Sequence, residues 1–394
     1  MDSGLVALLR ELVATPSMNP YRSAELAPGY GEAAVAERVA AFLREAGLSV
    51  ELQEIAPGRP NVLARLDGPA GVPPLLFVAH LDTVPVDGMT IPPFEGGVRD
   101  GRLWGRGACD NKGSLAAMLT ALRRVAAARA NPCPILFAGT ADEESGYRGI
   151  RAALRHSGFQ SAIRDPRSAI APRAAFVGEP TGLSIVVAHR GVVRWAIAQR
   201  GKSAHSAHPE QGVNAIYRMM PLVRDLEALA AEIARRPAHP LVGPPTLSVG
   251  TIRGGHSVNT VPDSCVIEVD RRLVPGESPD AAEAEVRALA ERHGATLDRF
   301  FCAGAFEVPP DCLAARMAKQ AVGAVVGEPC VVGVAYATEA PEVFGAGIPV
   351  VVVGPGDGSK AHSADEFLDL DQLQAAEQVY EHLMTQPAGG SVAE

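Results

Sequence analysis

The alternation of apolar and polar positions predicts helices and buried strands in turn along the first half of the chain. Apolar side chains recur at helical spacing over residues 32–46, which end before Gly47, and again over residues 114–129. Short apolar runs typical of strands buried on both faces occur at 61–65, 75–79, 135–139 and 174–178. Periodicity alone does not exclude a buried helix for any of these runs. A strand, a helix and a strand in succession favour a parallel sheet.

The pattern changes after Pro180 and changes back near Pro310. Between these points, strand and helix patterns occupy 192–199, 214–236, 246–252, 264–272 and 279–293. Beyond Pro310, helices are predicted over 312–326 and 370–384 and a strand over 350–354. We therefore expect an α/β fold with a doubly wound, mostly parallel sheet, interrupted by a smaller α+β domain. The expected bounds are 1–188 and 303–394 for the larger domain and 189–302 for the insert.

Composition and charge narrow the classes of partner. The 394 residues are 47% apolar and 21% charged, which is typical of a folded protein. The net charge of −9 argues against nucleic acid or an anionic membrane as the main partner. The longest apolar runs also fall far short of the ~20 residues that a membrane helix needs. We therefore expect a small metabolite as the ligand.

Two features bear on the compartment. Residues 1–13 carry charged side chains within an apolar pattern, which indicates an amphipathic helix rather than a cleavable secretion signal. The six cysteines are scattered without a Cys-x-x-Cys pair, which favours reduced thiols and a cytoplasmic location. The Gly/Ser-rich tail after Pro387 is expected to be disordered.

The first candidate site residues are His80 and Asp82, which directly follow a predicted strand. Residues two apart on extended backbone face the same way, so Asp82 is placed to sit behind the second nitrogen of the His80 imidazole. Metal-binding histidines commonly have such a carboxylate, which selects the tautomer and raises the basicity of the ligand. A strand-end histidine beside a solvated aspartate is the alternative.

Further acidic residues follow other predicted elements. Asp110 ends a glycine-rich turn before the helix at 114–129, where a helix cap is the simpler interpretation. Glu143 and Glu144 follow a strand, and adjacent residues on extended backbone point apart, so one could bind metal while the other handles protons. A solvated acidic loop is the alternative there. Glu179 and His362 also follow predicted strands.

These residues share a position, because ligand sites of open α/β sheets lie at the carboxyl ends of the strands. Two imidazoles and three carboxylates are too many ligands for a single four-coordinate zinc ion with an open position. They suit two metal ions roughly 3.5–4 Å apart that share a carboxylate. Ligands of this kind accept zinc, cobalt or manganese, so the ion stays open.

The motifs around these residues, in this order, resemble those of the metal-dependent aminoacylase and carboxypeptidase family over essentially the whole chain. The resemblance implies a catalytic domain with an inserted ferredoxin-like domain that acts as a lid and commonly forms the dimer contact. It also implies two metal ions, zinc first. The implied ligands are His80 and Glu179 for one ion and Glu144 and His362 for the other, with Asp110 shared.

The same resemblance implies roles for residues that do not bind metal. Asp82 would orient His80, and Glu143 would be the general base. The segment around His205 resembles the lid motif whose histidine holds the scissile carbonyl oxygen, in some members within the site of the partner subunit. Asn259 resembles a lid residue that grips substrate.

Three more substrate residues come from the resemblance. Arg272 falls at the family's Asp-x-Arg position and is the candidate for the substrate carboxylate, which a guanidinium binds through two parallel hydrogen bonds. Thr338 and Glu339 would lie near the substrate, with Glu339 facing a cationic side chain.

Within the family, the segments Gly178–Thr181, Ala188–Gly191 and Ala337–Pro341 resemble the acetylornithine deacetylase branch, whereas 335–337 and 357–360 do not clearly reproduce its local sequence. We therefore expect hydrolysis of an N-acyl amino acid, in the manner of Nα-acetylornithine deacetylation in arginine biosynthesis. A dipeptidase, a carboxypeptidase or a succinyl-diaminopimelate desuccinylase is the alternative within the family. A catalytically silent metal-binding scaffold is the alternative from another class.

Overall fold

The computed structural model describes residues 3–21, 23, 26–156 and 171–387, and the tail after Pro387 lies outside these ranges. The chain forms two compact units. The first unit comprises Met1–Val187, Val308–Val332 and Thr338–Glu394, and the second comprises Ala188–Glu307 and Gly333–Ala337. Residues 303–307 and 333–337, which we expected in the larger domain, therefore belong to the second unit.

The helices and strands alternate in the first unit and are arranged differently in the second. In chain order, the helices are α1 (Ser3–Val13), α2 (Ala33–Glu45), α3 (Lys112–Ala128), α4 (Arg148–Arg155), α5 (Ala215–Ile233), α6 (Pro279–Arg292), α7 (Leu313–Val325), α8 (Ala340–Gly345) and α9 (Leu370–Thr385). The strands are β1 (Ser49–Glu54), β2 (Pro60–Leu66), β3 (Leu75–His80), β4 (Gly97–Arg99), β5 (Arg102–Trp104), β6 (Ile135–Thr140), β7 (Ala174–Val177), β8 (Ile185–His189), β9 (Gly191–Arg200), β10 (Thr246–Gly254), β11 (Ser264–Leu273), β12 (Thr296–Ala303), β13 (Phe306–Glu307), β14 (Val331–Val334), β15 (Val350–Val352) and β16 (Phe367–Asp369).

The first unit is built on a sheet with the strand order β1, β2, β6, β3, β7 and β15. The four strands from β6 to β15 run parallel, and β1 and β2 are added antiparallel. Every residue of β3 and β6 is buried, which explains why both strands are continuous apolar runs in the sequence. Phe77, Phe137 and Phe176 lie side by side on three neighbouring strands and anchor the core.

Helices pack on this sheet in two groups. Helices α1, α2 and α9 contact α3, which connects the parallel neighbours β3 and β6, and α7 packs against α9. Helices α4 and α8 contact each other and different strands. The prediction of an α/β fold with a mostly parallel sheet is confirmed. The sequence pattern missed β1 and the small antiparallel sheet of β4, β5 and β16.

The second unit has the element order β9, α5, β10, β11, α6 and β12. Its strands form an antiparallel sheet in the spatial order β10, β11, β9, β12. Burial alternates along β9 and β11, and their inward side chains, including Trp195 and Ile267, pack with Met219 and Leu222 of α5. This arrangement is the expected ferredoxin-like domain. The last strand, β12, was not predicted.

The remaining expectations concern membranes and thiols. Among the helices that the structure describes, none combines the length and the apolar content that a membrane crossing requires. All six cysteines lie within the described ranges and none forms a disulfide bond there, with Cys109, Cys133 and Cys265 buried.

Candidate metal centre

The carboxyl ends of three parallel strands place candidate ligands at one edge of the first unit's sheet. His80 is the last residue of β3, Glu143 and Glu144 follow the end of β6, and Glu179 follows β7 by two residues. Parallel neighbours end at the same edge, so side chains distant in the sequence meet there. The order of strands and acidic residues along the sequence therefore predicts which edge of the sheet carries these side chains.

Asp110 reaches the same place through the turn between β5 and α3. Gly107 in this turn has a φ of +83°, and a Cβ there would lie 2.7 Å from the Thr83 methyl group. Only glycine avoids both the strained backbone and this collision. His362 follows the short 3-10 helix Gly358–Lys360, ten residues beyond the end of β15, with a left-handed φ of +59°.

Asp110 lies between the two histidines. Its Oδ1 atom is 2.9 Å from His80 Nε2, and its Oδ2 atom is 3.2 Å from His362 Nε2. His362 Nε2 is also 3.2 Å from Glu144 Oε2, and His80 Nε2 is 3.9 Å from Glu179 Oε1. One carboxylate thus faces both imidazoles, each of which has a second carboxylate beside it. This is the arrangement expected of a carboxylate shared by two ions.

The donor set fits divalent cations. Ligand atoms of His80, Asp110 and Glu144 all lie within 4.8 Å of one another. Burial, together with neighbouring negative charges, raises the pKa values of Glu143 and Glu179, and burial also raises the pKa of Glu144. Ionisation of these buried carboxyl groups therefore lacks sufficient compensating positive charge. A divalent cation would supply the missing positive charge.

The histidines partly compensate for this charge. Burial opposes protonation of His362, but the carboxylates of Asp110 and Glu144 raise its pKa to about 11. Burial likewise opposes ionisation of Asp110, and hydrogen bonds with His362 and His80 lower the pKa of that carboxyl.

Comparison with known proteins tests the resemblance that the motifs suggested. The model of peptidase family M20/M25/M40 matches residues 76–386. The chain belongs to this family. An acetylornithine deacetylase of Proteus mirabilis is 31% identical over 388 residues, which cover 96% of this chain and 95% of that protein. The family assignment is therefore confirmed, and the chain is a hydrolase of amide bonds.

Solved structures of the M20 family share the fold. A metallo-carboxypeptidase from Sulfolobus solfataricus has a TM-score of 0.79 at 19% identity and covers 98% of this chain and 99% of its own. A Bacillus subtilis protein described as a dinuclear metal-binding peptidase has a TM-score of 0.64 at 18% identity, with coverage of 97% and 96%. Each match extends over nearly the whole of both chains, which supports the fold assignment.

Asp82 lies behind His80, and the imidazole has two acceptors there. His80 Nδ1 is 2.9 Å from the main-chain carbonyl oxygen of Asp82 and 3.6 Å from its Oδ1 atom. Nδ1 donates to the nearer, main-chain oxygen, which leaves Nε2 directed at Asp110. The Asp82 carboxylate instead accepts hydrogen bonds from the backbone N–H groups of Glu143 and Glu144, each at 3.1 Å.

Glu143 and Glu144 lie in a turn, not on extended backbone as the sequence argument assumed. The preceding residue, Asp142, has a left-handed φ of +69°, and its carbonyl oxygen accepts from the backbone N–H groups of Gly146 and Tyr147. The turn and the hydrogen bonds to Asp82 therefore fix the backbone of both acids. The argument from strand alternation was therefore wrong, because the two residues do not lie on a strand.

Thr338 and Glu339 are buried in the first unit. The Thr338 hydroxyl oxygen accepts from the backbone N–H of Ala340 at the start of α8. Glu339 Oε2 accepts from the Thr140 hydroxyl at 2.6 Å, and Thr140 ends β6 beside the site. Burial raises the pKa of Glu339 to about 8. Glu339 is thus a buried carboxyl group next to the acidic cluster.

The other three predicted substrate residues belong to the second unit. His205 is exposed, and its Nδ1 atom accepts from the backbone N–H of Ala207. Asn259 is exposed and is hydrogen-bonded to the Ser257 hydroxyl. Arg272 is half-buried and donates to Asp270 Oδ1 at 2.8 Å.

Sequence reasoning missed the buried polar residues that hold the ligand turns. These are Asn19, Glu32, Arg59, Arg106, Asp142 and Glu366, all buried in the first unit. Their partners lie as many as 260 residues away in the sequence, and no motif spacing links these distant pairs. A buried charge needs partners wherever they come from in the chain, so only the folded structure reveals this set.

Proposed function

We propose that this chain hydrolyses N-acyl amino acids, with an Nα-acetyl amino acid such as Nα-acetylornithine as the preferred substrate. The observation that carries the proposal is the Asp110 carboxylate facing both imidazoles. Glu143, which is not among the proposed ligands, lies in the same turn as Glu144. The match to an acetylornithine deacetylase along almost the whole chain supports the choice of substrate class.

We propose that the centre holds two divalent ions, zinc first, with cobalt or manganese also accepted. His80 and Glu179 would hold one ion, Glu144 and His362 the other, and Asp110 both. Ions bound there supply a lowered pKa for an attacking water and polarisation of the amide carbonyl. The donor set supports this assignment, and the description of the related Bacillus subtilis protein as dinuclear agrees with it.

Glu143 is the proposed general base. Burial raises the pKa of its carboxyl well above the ordinary value, which makes the carboxylate a stronger proton acceptor than a solvated glutamate. Its backbone N–H is held by Asp82, so the side chain starts from a defined position. Glu143 takes a proton from water in the first step and passes it to the leaving nitrogen of the amide in the second.

The remaining contacts are proposed for the substrate. The second unit would supply His205 for the developing oxyanion, Asn259 for orientation and Arg272 for the α-carboxylate, since a guanidinium matches a carboxylate. Arg272 would exchange its present partner, Asp270, for the substrate. Glu339 is the proposed partner of a cationic substrate side chain, with Thr338 beside it.

We also propose a homodimer formed through the second unit and a cytoplasmic role in arginine biosynthesis. Tyr217, Met220, Ile252 and Val258 are large apolar side chains exposed on the second unit, with Tyr217 exposed by 75%. Such surface supports contact with another protein chain. Six described cysteines without a disulfide bond support a reducing compartment. Sedimentation of the purified protein tests the dimer.

A substrate panel tests the activity. The zinc-loaded protein is assayed for amine release from Nα-acetylornithine, other Nα-acetyl amino acids, succinyl-diaminopimelate and dipeptides. Preference for Nα-acetylornithine supports the proposal. Preference for a dipeptide or the succinyl substrate replaces it with the alternative activities of the same family, and bound zinc without any hydrolysis favours a silent scaffold.

A variant pair tests the base. We expect Glu143→Ala to lose essentially all turnover while its zinc content stays at the wild-type level, because Glu143 is not among the proposed ligands. Glu37→Ala, at an exposed position of α2, is the matched control and should retain full activity. A Glu143→Ala protein that keeps most of its kcat removes Glu143 from this role.

A further inference from the structure

Two buried aspartates enclose the turn that carries Glu143 and Glu144. Asp82 accepts the backbone N–H groups of both glutamates. Asp142 immediately precedes the turn, and its carboxylate receives Arg59 Nη1 at 2.9 Å. Both aspartates are essentially inaccessible to solvent. Buried carboxylates need hydrogen-bond donors, so the donor groups that lie between Asp82 and Asp142 fix the position of the turn.

The side chain of Asn19 lies between the two aspartates. Its Nδ2 atom donates to Asp82 Oδ2 at 2.7 Å and to Asp142 Oδ1 at 3.3 Å. Its Oδ1 atom accepts from the backbone N–H of Tyr21 at 2.6 Å. The Asn19 backbone N–H in turn donates to the carbonyl oxygen of Thr83, which ties this segment to the chain beside Asp82.

The partners of Asn19 leave one orientation for its carboxamide. A flipped amide would direct Oδ1 at two carboxylates and the NH₂ group at a backbone N–H, so all three contacts would become repulsive. The NH₂ group therefore faces Asp82 and Asp142 and uses both of its protons. No carboxylate or hydroxyl of similar size offers two protons together with an acceptor at this position.

We propose that Asn19 is a positioning residue for the metal centre: its carboxamide holds Asp82 and Asp142 together and thereby sets the turn of Glu143 and Glu144. The proposal rests on the proposed function only in assigning roles to these two glutamates. Asn19 touches neither substrate nor the reacting atoms. Its effect passes through Asp82, whose carboxylate contacts the turn and lies beside His80.

Loss of the carboxamide has a defined consequence. Without it, Asp82 and Asp142 face each other with fewer donors, and the repulsion between the carboxylates shifts the turn. Glu144 then no longer meets His362 at its present distance, so metal affinity falls. Partners that orient metal ligands typically change metal affinity or activity by about 10–100-fold when removed.

Zinc titration of apo-protein variants tests the proposal. Competition with a chromophoric chelator measures the affinity of Asn19→Ala for zinc, and we expect it to be weakened at least about tenfold. Asn131→Ala is the matched control, because Asn131 also donates two amide protons, to the carbonyl oxygens of Asp67 and Cys133 in the same unit. It should keep the wild-type affinity for zinc. The Tm of each variant is measured as well. If both variants lose a similar amount of Tm but only Asn19→Ala binds zinc more weakly, the loss of affinity comes from the metal centre and not from general destabilisation.

Asn19→Asp is the second variant. It has the size of asparagine but places a third carboxylate against Asp82 and Asp142, so zinc affinity should fall at least as far as in Asn19→Ala. Zinc affinity within twofold of wild type in either variant overturns the proposal. Failure of both variants to fold also overturns it, because Asn19 would then act on the whole unit. The zinc measurement is independent of turnover, so an inactive wild-type protein would refute the proposed function and leave this test valid.

Discussion

The turn that delivers Asp110 depends on a single buried carboxylate, Glu366, which offers a sharp test of the packing argument. Glu366 Oε1 accepts the backbone N–H groups of Cys109 and Asp110 at 2.9 and 3.0 Å. Glu366 Oε2 meets Arg106 Nη1 at 2.6 Å, and the two side chains are 0% and 3% exposed. Glu366→Gln keeps the size of the side chain and removes its charge.

The expected loss follows from this burial. Removal of one partner leaves the Arg106 cation buried without its counter-ion, which costs about 3–5 kcal/mol of unfolding free energy. An exposed pair provides the contrast. Arg65 and Asp67 are 2.7 Å apart, but their side chains are 42% and 82% exposed, so Asp67→Asn should cost at most about 1 kcal/mol.

Urea unfolding of the metal-free proteins, followed by far-ultraviolet circular dichroism, compares the two variants. Both changes convert a carboxylate into an amide in an ion pair of similar length, so the difference between them reports burial. Because the new NH₂ group must face either the backbone N–H groups of Cys109 and Asp110 or Arg106 Nη1, one donor contact becomes repulsive and the turn shifts. Zinc affinity should therefore fall only in the Glu366 variant. If Glu366→Gln loses no more stability than Asp67→Asn, the claim that this buried pair holds the turn is refuted.

Three further predictions concern metal, pH and a helix cap. Chelation should lower Tm, and zinc at a hundred times its Kd should restore about 2.7 kcal/mol; no shift in a thermal scan would contradict the metal site. Burial lowers the pKa of His189 from 6.5 to about 4, so the unfolded chain binds more protons between these values. The contribution of neutral His189 to the free energy of unfolding is complete above pH 6.5 and falls by about 3 kcal/mol as the pH drops to 4. Urea unfolding of His189→Phe should lack this part of the pH-dependent loss. The Asn214 side chain caps α5 by accepting from the N–H groups of Ile216 and Tyr217, so Asn214→Ala should cost about 1 kcal/mol in the same assay, and an unchanged midpoint would count against the cap.

Some elements could be predicted from the sequence, and others could not. Strands β3 and β6 are buried on both faces and therefore stand out as apolar runs. Strands β1 and β12 have mixed exposure, because each lies at the edge of its sheet, and their sequences lack a continuous apolar signal. Helix α3 was predicted from large apolar side chains at helical spacing, although neighbouring helices bury every residue from Lys112 to Leu122.

The candidate site likewise contains residues that the sequence predicts and residues that it does not. His80, Glu143 and Glu179 follow buried parallel strands, so strand order alone places them at one edge. Asn19 and Glu366 carry no such signal, since their partners are distant in the chain and the chemistry of an isolated asparagine or glutamate is ordinary. The turn that contains Glu143 could not be predicted from the sequence either, because it depends on hydrogen bonds to Asp82.

Local patterns in the amino-acid sequence are enough to predict the α/β architecture with its inserted domain, the edge of the sheet where the candidate ligands gather and the family to which the chain belongs. These patterns are periodic burial, strand ends and short motifs. The folded molecule was needed to show that Asp110 faces both imidazoles and that Asn19, Arg59 and Glu366 hold the ligand turns. Buried polar groups must find partners in three dimensions, and packing sets those partners independently of their separation in the chain.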